Sequence, residues 1–251
     1  MARIFAFLYG LIAYAIFFVT FLYAIGFVGN LVVPKSIDSG GTTISAKAVL
    51  IDVLLLGLFA FQHSVMARPG FKRWWIHFVP TQVERSTYVL LSSLCLILLY
   101  WQWHPLVRVV WDVQNPAGKA MLQVLFWLGW LIVLTATFMI DHFDLFGLRQ
   151  VYLYLRGKDY ASVGFATPML YKYCRHPIML GFLIAFWAAP HMTLGHILFT
   201  VATTGYILLA IQFEEGDLIR AHGERYQDYR GRTSMLLPMF QKSAVKPAER
   251  S

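Results

Sequence analysis

Residues 175–217 read RHPIMLGFLIAFWAAPHMTLGHILFTVATTGYILLAIQFEEGD, and the two prolines inside this stretch set its architecture. Pro177 and Pro190 bracket an apolar run, 178–189, of 12 residues. At 1.5 Å per residue that run makes a helix of roughly 18 Å, well short of the ~30 Å hydrocarbon core of a bilayer. The following run, 194–213, is long enough to cross. The stretch therefore predicts a helical hairpin with one short arm and one full arm. It starts at a basic corner, Arg175 and His176, and returns to an acidic one, Glu214, Glu215 and Asp217. A helix start held at membrane depth must have its backbone donors satisfied. Pro177 suits the first helical position, and with Arg175 and His176 beside it the short arm's start favours an anion. A ligand with a carboxylate at one end and a cation and sugar hydroxyls nearby matches both corners.

Working outward, residues 5–29, 53–67, 86–107 and 120–140 contain no Asp, Glu, Lys or Arg. Spans are expected near 5–29, 48–66, 87–103 and 121–140, ahead of the hairpin. The composition agrees: 58% of residues are hydrophobic and 14% charged, with mean hydropathy +0.58, against about 25% charged in a soluble domain. The expected fold is an all-α polytopic membrane protein with about five transmembrane helices, the C-terminal pair forming the hairpin. Residues 1–140 supply the N-terminal helices. Residues 141–251 supply a loop, the hairpin and a tail that form the cofactor site within one integral membrane unit. The run 5–29 is too long for a signal-peptide core and reads as a retained helix. Cys95 and Cys174 read as free thiols, without a disulfide framework or zinc site.

A net charge of +8 suggests nucleic acid until its distribution is followed. Of 21 Lys and Arg, four (Lys35, Lys47, Arg108 and Lys119) fall on the loops opposite the N-terminus and 17 on its own side. The positive-inside rule then places both termini in the cytoplasm, in a bacterial inner membrane, and nucleic acid is not an expected partner. The polar stretches 67–86, 141–177 and 214–251 converge on that one face. No inverted repeat of the transporter kind is visible. The eight histidines show no i, i+3 or i+4 pair, so no metal site is expected.

Arg175-His176-Pro177 with Gly181, Glu214-Glu215 with Leu218, Gly223-Glu224-x-Tyr226-x-x-Tyr229 and Pro238 together resemble the isoprenylcysteine carboxyl methyltransferase and phospholipid methyltransferase superfamily. That resemblance implies a membrane-embedded enzyme using S-adenosylmethionine without a Gly-rich Rossmann fingerprint, and no G-x-G-x-x-G occurs in the chain. On this reading Tyr173, Arg175, His176, Pro177, Gly181, Glu214, Glu215, Tyr226 and Tyr229 form the cofactor site. Residues 223–229 form the polar end of a helix whose two tyrosines, three apart, close over the cofactor.

Phe61-Gln62-His63-Ser64-Val65-Met66-Ala67-Arg68, Pro80 with Glu84-Arg85-Ser86-Thr87-Tyr88, and Asp141 to Gln150 are similar to the methanethiol S-methyltransferase branch, close to NnrU-type proteins. The branch implies methyl transfer to methanethiol, a small thiol, giving dimethyl sulfide. Alternative members of the superfamily act on prenylcysteine carboxyl groups or other lipophilic acceptors, and a non-catalytic NnrU-like membrane protein is a further alternative. A small thiol has a high pKa, so a base or cation near its sulfur helps. The candidates are His63, Arg85, Tyr88, Asp141 and His142, ionisable or polar groups in or beside spans. Each also admits a plain structural use, such as a pairing of Glu84 with Arg85.

Overall fold

The computed structural model describes residues 1–41, 45–162 and 164–237. Five helices are long and apolar enough to cross a membrane: α1 (Ala2–Gly29), α2 (Ala46–Ala67), α4 (Thr81–Gln102), α5 (Pro116–Ile140) and α9 (Leu194–His222). The shorter α3 (Pro69–Trp75), α6 (His142–Leu145), α7 (Leu148–Leu155), α8 (Pro177–Trp187) and α10 (Glu224–Arg232) complete the set. The chain is thus a polytopic all-α membrane protein. α8 is the short arm, 11 residues long. Two strands that the apolar runs did not announce, β1 (Val109–Asp112) and β2 (His191–Thr193), pair antiparallel and tie the loop after α4 to the hairpin tip.

The helices pack around Phe27, Leu99, Tyr100, Trp103, Phe126, Trp130, Phe186 and Phe199. Outside that core, polar contacts define two ends of the bundle. At the tip end, Lys35 Nζ donates to Trp101 O at 2.6 Å and Trp103 Nε1 donates to Ile37 O at 3.1 Å. At the other end Arg68 pairs with Asp217 at 2.7 Å, Arg85 Nε donates to Leu145 O at 2.7 Å, and Arg3 lies over Tyr154. This basic end gathers the three polar stretches, as their charge suggests.

The tightest helix contact joins α5 and α8. A Cβ at Gly181 would lie 2.6 Å from Gly129 O and 2.9 Å from Val133 N. One at Gly129 would lie 2.6 Å from both Gly181 O and Ala185 N. Small residues let membrane helices approach backbone to backbone, where lipid offers no hydrophobic driving force. Gly181, expected at the cofactor, therefore makes its contact with α5, and α5 shelters an arm too short to cross.

The long arm continues past residue 213 to His222, so Glu214, Glu215 and Asp217 are helical. Their neighbours Leu218, Ile219, Arg220 and Ala221 carry helix propensity of their own. The helix stops at Gly223, whose φ of 54° and ψ of −132° suit glycine. Residues 224–232 accordingly form a separate helix, not the end of α9. Pro238 lies outside the described residues.

Candidate functional site

The loop before α8 is held by the chain's own C-terminal segment. Arg175 N donates to Ser234 O at 2.9 Å and His176 N to Met235 O at 3.2 Å, and Cys174 bridges Ser234 in parallel. Arg175 Nε donates to Glu215 Oε1 at 2.7 Å, while its Nη1 serves the carbonyls of Arg230, at 3.0 Å, and Thr233. His176 Nε2 lies 3.1 Å from the same Glu215 oxygen, and Arg230 Nε 3.0 Å from the other. Glu215, with its side chain 4% exposed, is thus clasped by three side chains from two segments. A buried carboxylate persists only when paired in this way. The basic and acidic corners of the hairpin bind one another, and Arg175 is committed mainly to that clasp.

Glu214 is the freer acid. Its side chain is 46% exposed, with His176 Nδ1 3.7 Å away. Tyr226 is 1% exposed and its hydroxyl has no partner among the described residues. Burial, with the nearby Glu215 carboxylate adding to it, pushes this phenol up to about 12. Tyr229 donates to Tyr171 O at 2.5 Å, and Phe165 sits edge-on to both tyrosines at 5.7 and 5.5 Å. Tyr173 is about half exposed, its carbonyl bonded by Ser234 Oγ. Pro177 is buried at the first position of α8.

A second polar cluster joins α2, α4 and α9. The Tyr88 hydroxyl lies 3.0 Å from either ring nitrogen of His63, and His63 Nδ1 lies 3.3 Å from Ser92 Oγ. His63 stacks on Phe59 at 5.2 Å. The Arg85 guanidinium sits over the Tyr88 ring at 5.0 Å. No carboxylate lies within 4 Å of Arg85 among the described residues, so the Glu84–Arg85 pairing does not form. Ser64 Oγ donates to the Tyr206 hydroxyl at 3.2 Å. One turn beyond Ser64, where α2 ends, Arg68 pairs with Asp217 at 2.7 Å, which ties this helix to the acidic segment of α9.

Asp141 and His142 have a different setting. His142 is buried, with Nδ1 2.8 Å from Thr137 Oγ1 and Nε2 2.8 Å from the Tyr14 hydroxyl. Both nitrogens are thus occupied, and burial pushes the imidazole below its usual range. Phe146 packs against His142 at 4.8 Å and belongs with Phe17 to the cluster around Tyr88. Asp141, at φ 152°, caps Asp144 N at 3.0 Å. It also lines an open cavity of about 660 Å³ with Lys72, Arg85, Asp144 and Tyr160. Among the described residues no three His, Cys, Asp or Glu groups converge as a metal site.

Sequence reasoning missed Tyr206, a single tyrosine in an apolar run whose partner lies 142 residues away. The one available signal was Ser64, inside the motif that also holds His63.

The family model described as "NnrU protein" matches residues 51–240. A "Methanethiol S-methyltransferase" of Mycobacterium tuberculosis is 59% identical over 238 residues, covering 95% of this chain and 98% of the relative. "Methanethiol S-methyltransferase 2" of Bradyrhizobium diazoefficiens is 58% identical over 237 residues, 94% and 91% of the two chains. "Nurim" of Xenopus laevis is 31% identical over 176 residues, 66% of this chain and 61% of the relative. No solved structure matches. With its helices, its motif residues and its near-full-length relatives in agreement, the chain belongs to the NnrU family, on the branch of the methanethiol S-methyltransferases.

Proposed function

We propose that this chain transfers the methyl group of S-adenosylmethionine to methanethiol, releasing dimethyl sulfide, at the cytoplasmic face of a bacterial inner membrane. The observation that carries the reading is the near-full-length similarity to methanethiol S-methyltransferases. Two polar clusters, one around Glu215 and one around His63, support it. The excess of 17 Lys and Arg over four supports the orientation.

The residues of the hairpin fit such a cofactor. The orphaned, buried Tyr226 hydroxyl is a donor awaiting a partner. The first N–H groups of α8 lack partners inside the helix and favour a carboxylate. The half-exposed Glu214 suits an ammonium or sugar hydroxyls. Arg175, His176 and Glu215 shape this corner, and Tyr229 with Phe165 keeps water from it. Bound there, S-adenosylmethionine supplies an electrophilic methyl group on a sulfonium.

On the acceptor side His63 takes the thiol proton at Nε2, the thiol replacing the Tyr88 hydroxyl there, while Ser92 holds Nδ1. Arg85, over the Tyr88 ring, adds positive potential that favours the thiolate. Joining a thiolate to a cationic methyl donor cancels charge, so apolar walls are no handicap, and alignment supplies most of the acceleration. His142 and Asp141 hold the turn that carries Leu145 O to Arg85. The test is gas chromatography of purified protein with a panel of thiols, with and without S-adenosylmethionine. Cofactor-dependent dimethyl sulfide is expected, and methylation of farnesylcysteine without methylation of methanethiol overturns the acceptor.

A further inference from the structure

Tyr206 lies on α9 about two turns before Glu214, on the side that meets α2. Its hydroxyl takes a hydrogen bond from Ser64, and its own proton has no acceptor among the described residues. The Tyr206 ring meets Phe59 edge-on at 6.3 Å, and the same Phe59 stacks on His63. The two polar groups therefore share one aromatic floor. His63, Ser64 and Tyr206 are each partly exposed, whereas Tyr88 and Ser92 behind them are buried. The Arg68–Asp217 pair joins the same two helices nearer the basic end.

A free O–H donor and an imidazole packed on one ring suit a thiol being deprotonated. The imidazole accepts the proton and the phenol stabilises the charge left on sulfur. Ser64, donating into the phenol oxygen, polarises that O–H further. We propose that Tyr206 is a catalytic residue of the acceptor side, its hydroxyl donating to the methanethiol sulfur while His63 takes the S–H proton. The electron pair left on sulfur forms the new bond to the methyl carbon as that carbon's bond to the donor sulfonium breaks. The imidazolium then returns its proton to water. This rests on the acceptor site proposed above and adds the group that holds the sulfur.

The experiment uses the full-length protein in detergent with S-adenosylhomocysteine bound, so that methanethiol binds without turnover. Wild-type protein should gain thermal stability from methanethiol, and Tyr206→Phe, which keeps the ring on Phe59, should lose most of that gain. Its KM for methanethiol should rise about tenfold or more, the scale of a lost hydrogen bond to a charged group. The Kd for S-adenosylhomocysteine should stay within about twofold, because Tyr206 serves the acceptor and not the donor. Ser64→Ala should move KM the same way by less, and Ser64→Thr should restore it. A Tyr206→Phe protein with wild-type KM and wild-type stabilisation overturns the assignment while leaving the methyltransferase reading intact. Should Tyr206→Phe fail to fold, the Ser64 pair decides: no KM difference between Ala and Thr overturns the assignment. A wild-type protein that binds S-adenosylhomocysteine but ignores methanethiol removes both.

Discussion

The two arms of the hairpin meet their neighbours in opposite ways. α8 lies on α5 backbone to backbone, with no room for a methyl group at Gly129 or Gly181. α9 meets α2 through polar side chains, Ser64 with Tyr206 and Arg68 with Asp217, around the ring of Phe59. Membrane helices associate by close packing or by hydrogen bonding, and this hairpin uses one device on each arm. The close contact fixes where α8 starts, and so fixes the loop of Arg175 and His176. The seam with α5 is closed at the backbone, and the seam with α2 is polar.

The largest expected effect comes from removing the clasp that the scaffold positions. Glu215→Ala leaves Arg175, His176 and Arg230 without their shared carboxylate, and breaking a buried pair on one side costs about 3–5 kcal/mol. Thermal or denaturant unfolding in detergent should show it, and unchanged stability would return Glu215 to a solvated helix face. The close seam comes next. Gly129→Ala should cost about 1–3 kcal/mol by overpacking, whereas Gly205→Ala, where a Cβ meets nothing within 4 Å, should cost nothing. Equal behaviour of the two variants would break the comparison of the arms.

The acceptor half is probed by chemistry instead of stability. His63→Ala should lower turnover about 10²-fold or more, the contribution of a positioned base, with affinity for S-adenosylhomocysteine unchanged. His142→Ala should show the reverse pattern: a stability loss from stranding Thr137 and Tyr14, with kcat per folded molecule nearly preserved. If the two histidines exchange these signatures, the base has been misassigned.

The spans were legible because hydrocarbon thickness is a length requirement that apolar runs either meet or miss. Pro177 and Pro190 made the short arm legible for the same reason. The continuation of α9 through Glu214–Asp217 was not, since acidic residues leave the bilayer without leaving the helix. Of the site, residue types were readable and partnerships were not. Arg175 reads as an anion ligand until Glu215, 40 positions on, takes its Nε. Gly181 reads as a residue of the cofactor site, and its close approach to Gly129 was not readable. Asp141 reads as a candidate base, and its oxygen also caps Asp144. For Arg175 and Gly181 the contact is with a distant segment, which local pattern does not encode.

The smallest expected effect is the one that best separates scaffold from ligand contact. Tyr226 is buried with its hydroxyl unpartnered, so Tyr226→Phe removes a desolvated polar group and should leave apo stability unchanged or raised by about 1 kcal/mol. If that hydroxyl is held in reserve for the cofactor, the same variant should lose affinity for S-adenosylmethionine by about 0.5–1.5 kcal/mol, the net worth of one neutral hydrogen bond. Calorimetry and unfolding on one preparation then give opposite signs. A purely structural tyrosine would instead leave affinity untouched. The phenol adds a second readout. Its pKa is raised from the ordinary 10.0 to about 12 in the folded protein, so above pH 10 the unfolded chain binds fewer protons than the folded one. The stability tied to this protonation is complete below pH 10 and is lost as pH climbs through about 12, in keeping with proton linkage. Tyr226→Phe, having no phenol at that position, should lose less stability than wild type between pH 10 and 12. Parallel loss in both proteins would mean that Tyr226 ionises as freely folded as unfolded and that its burial over Glu215 is not maintained in solution.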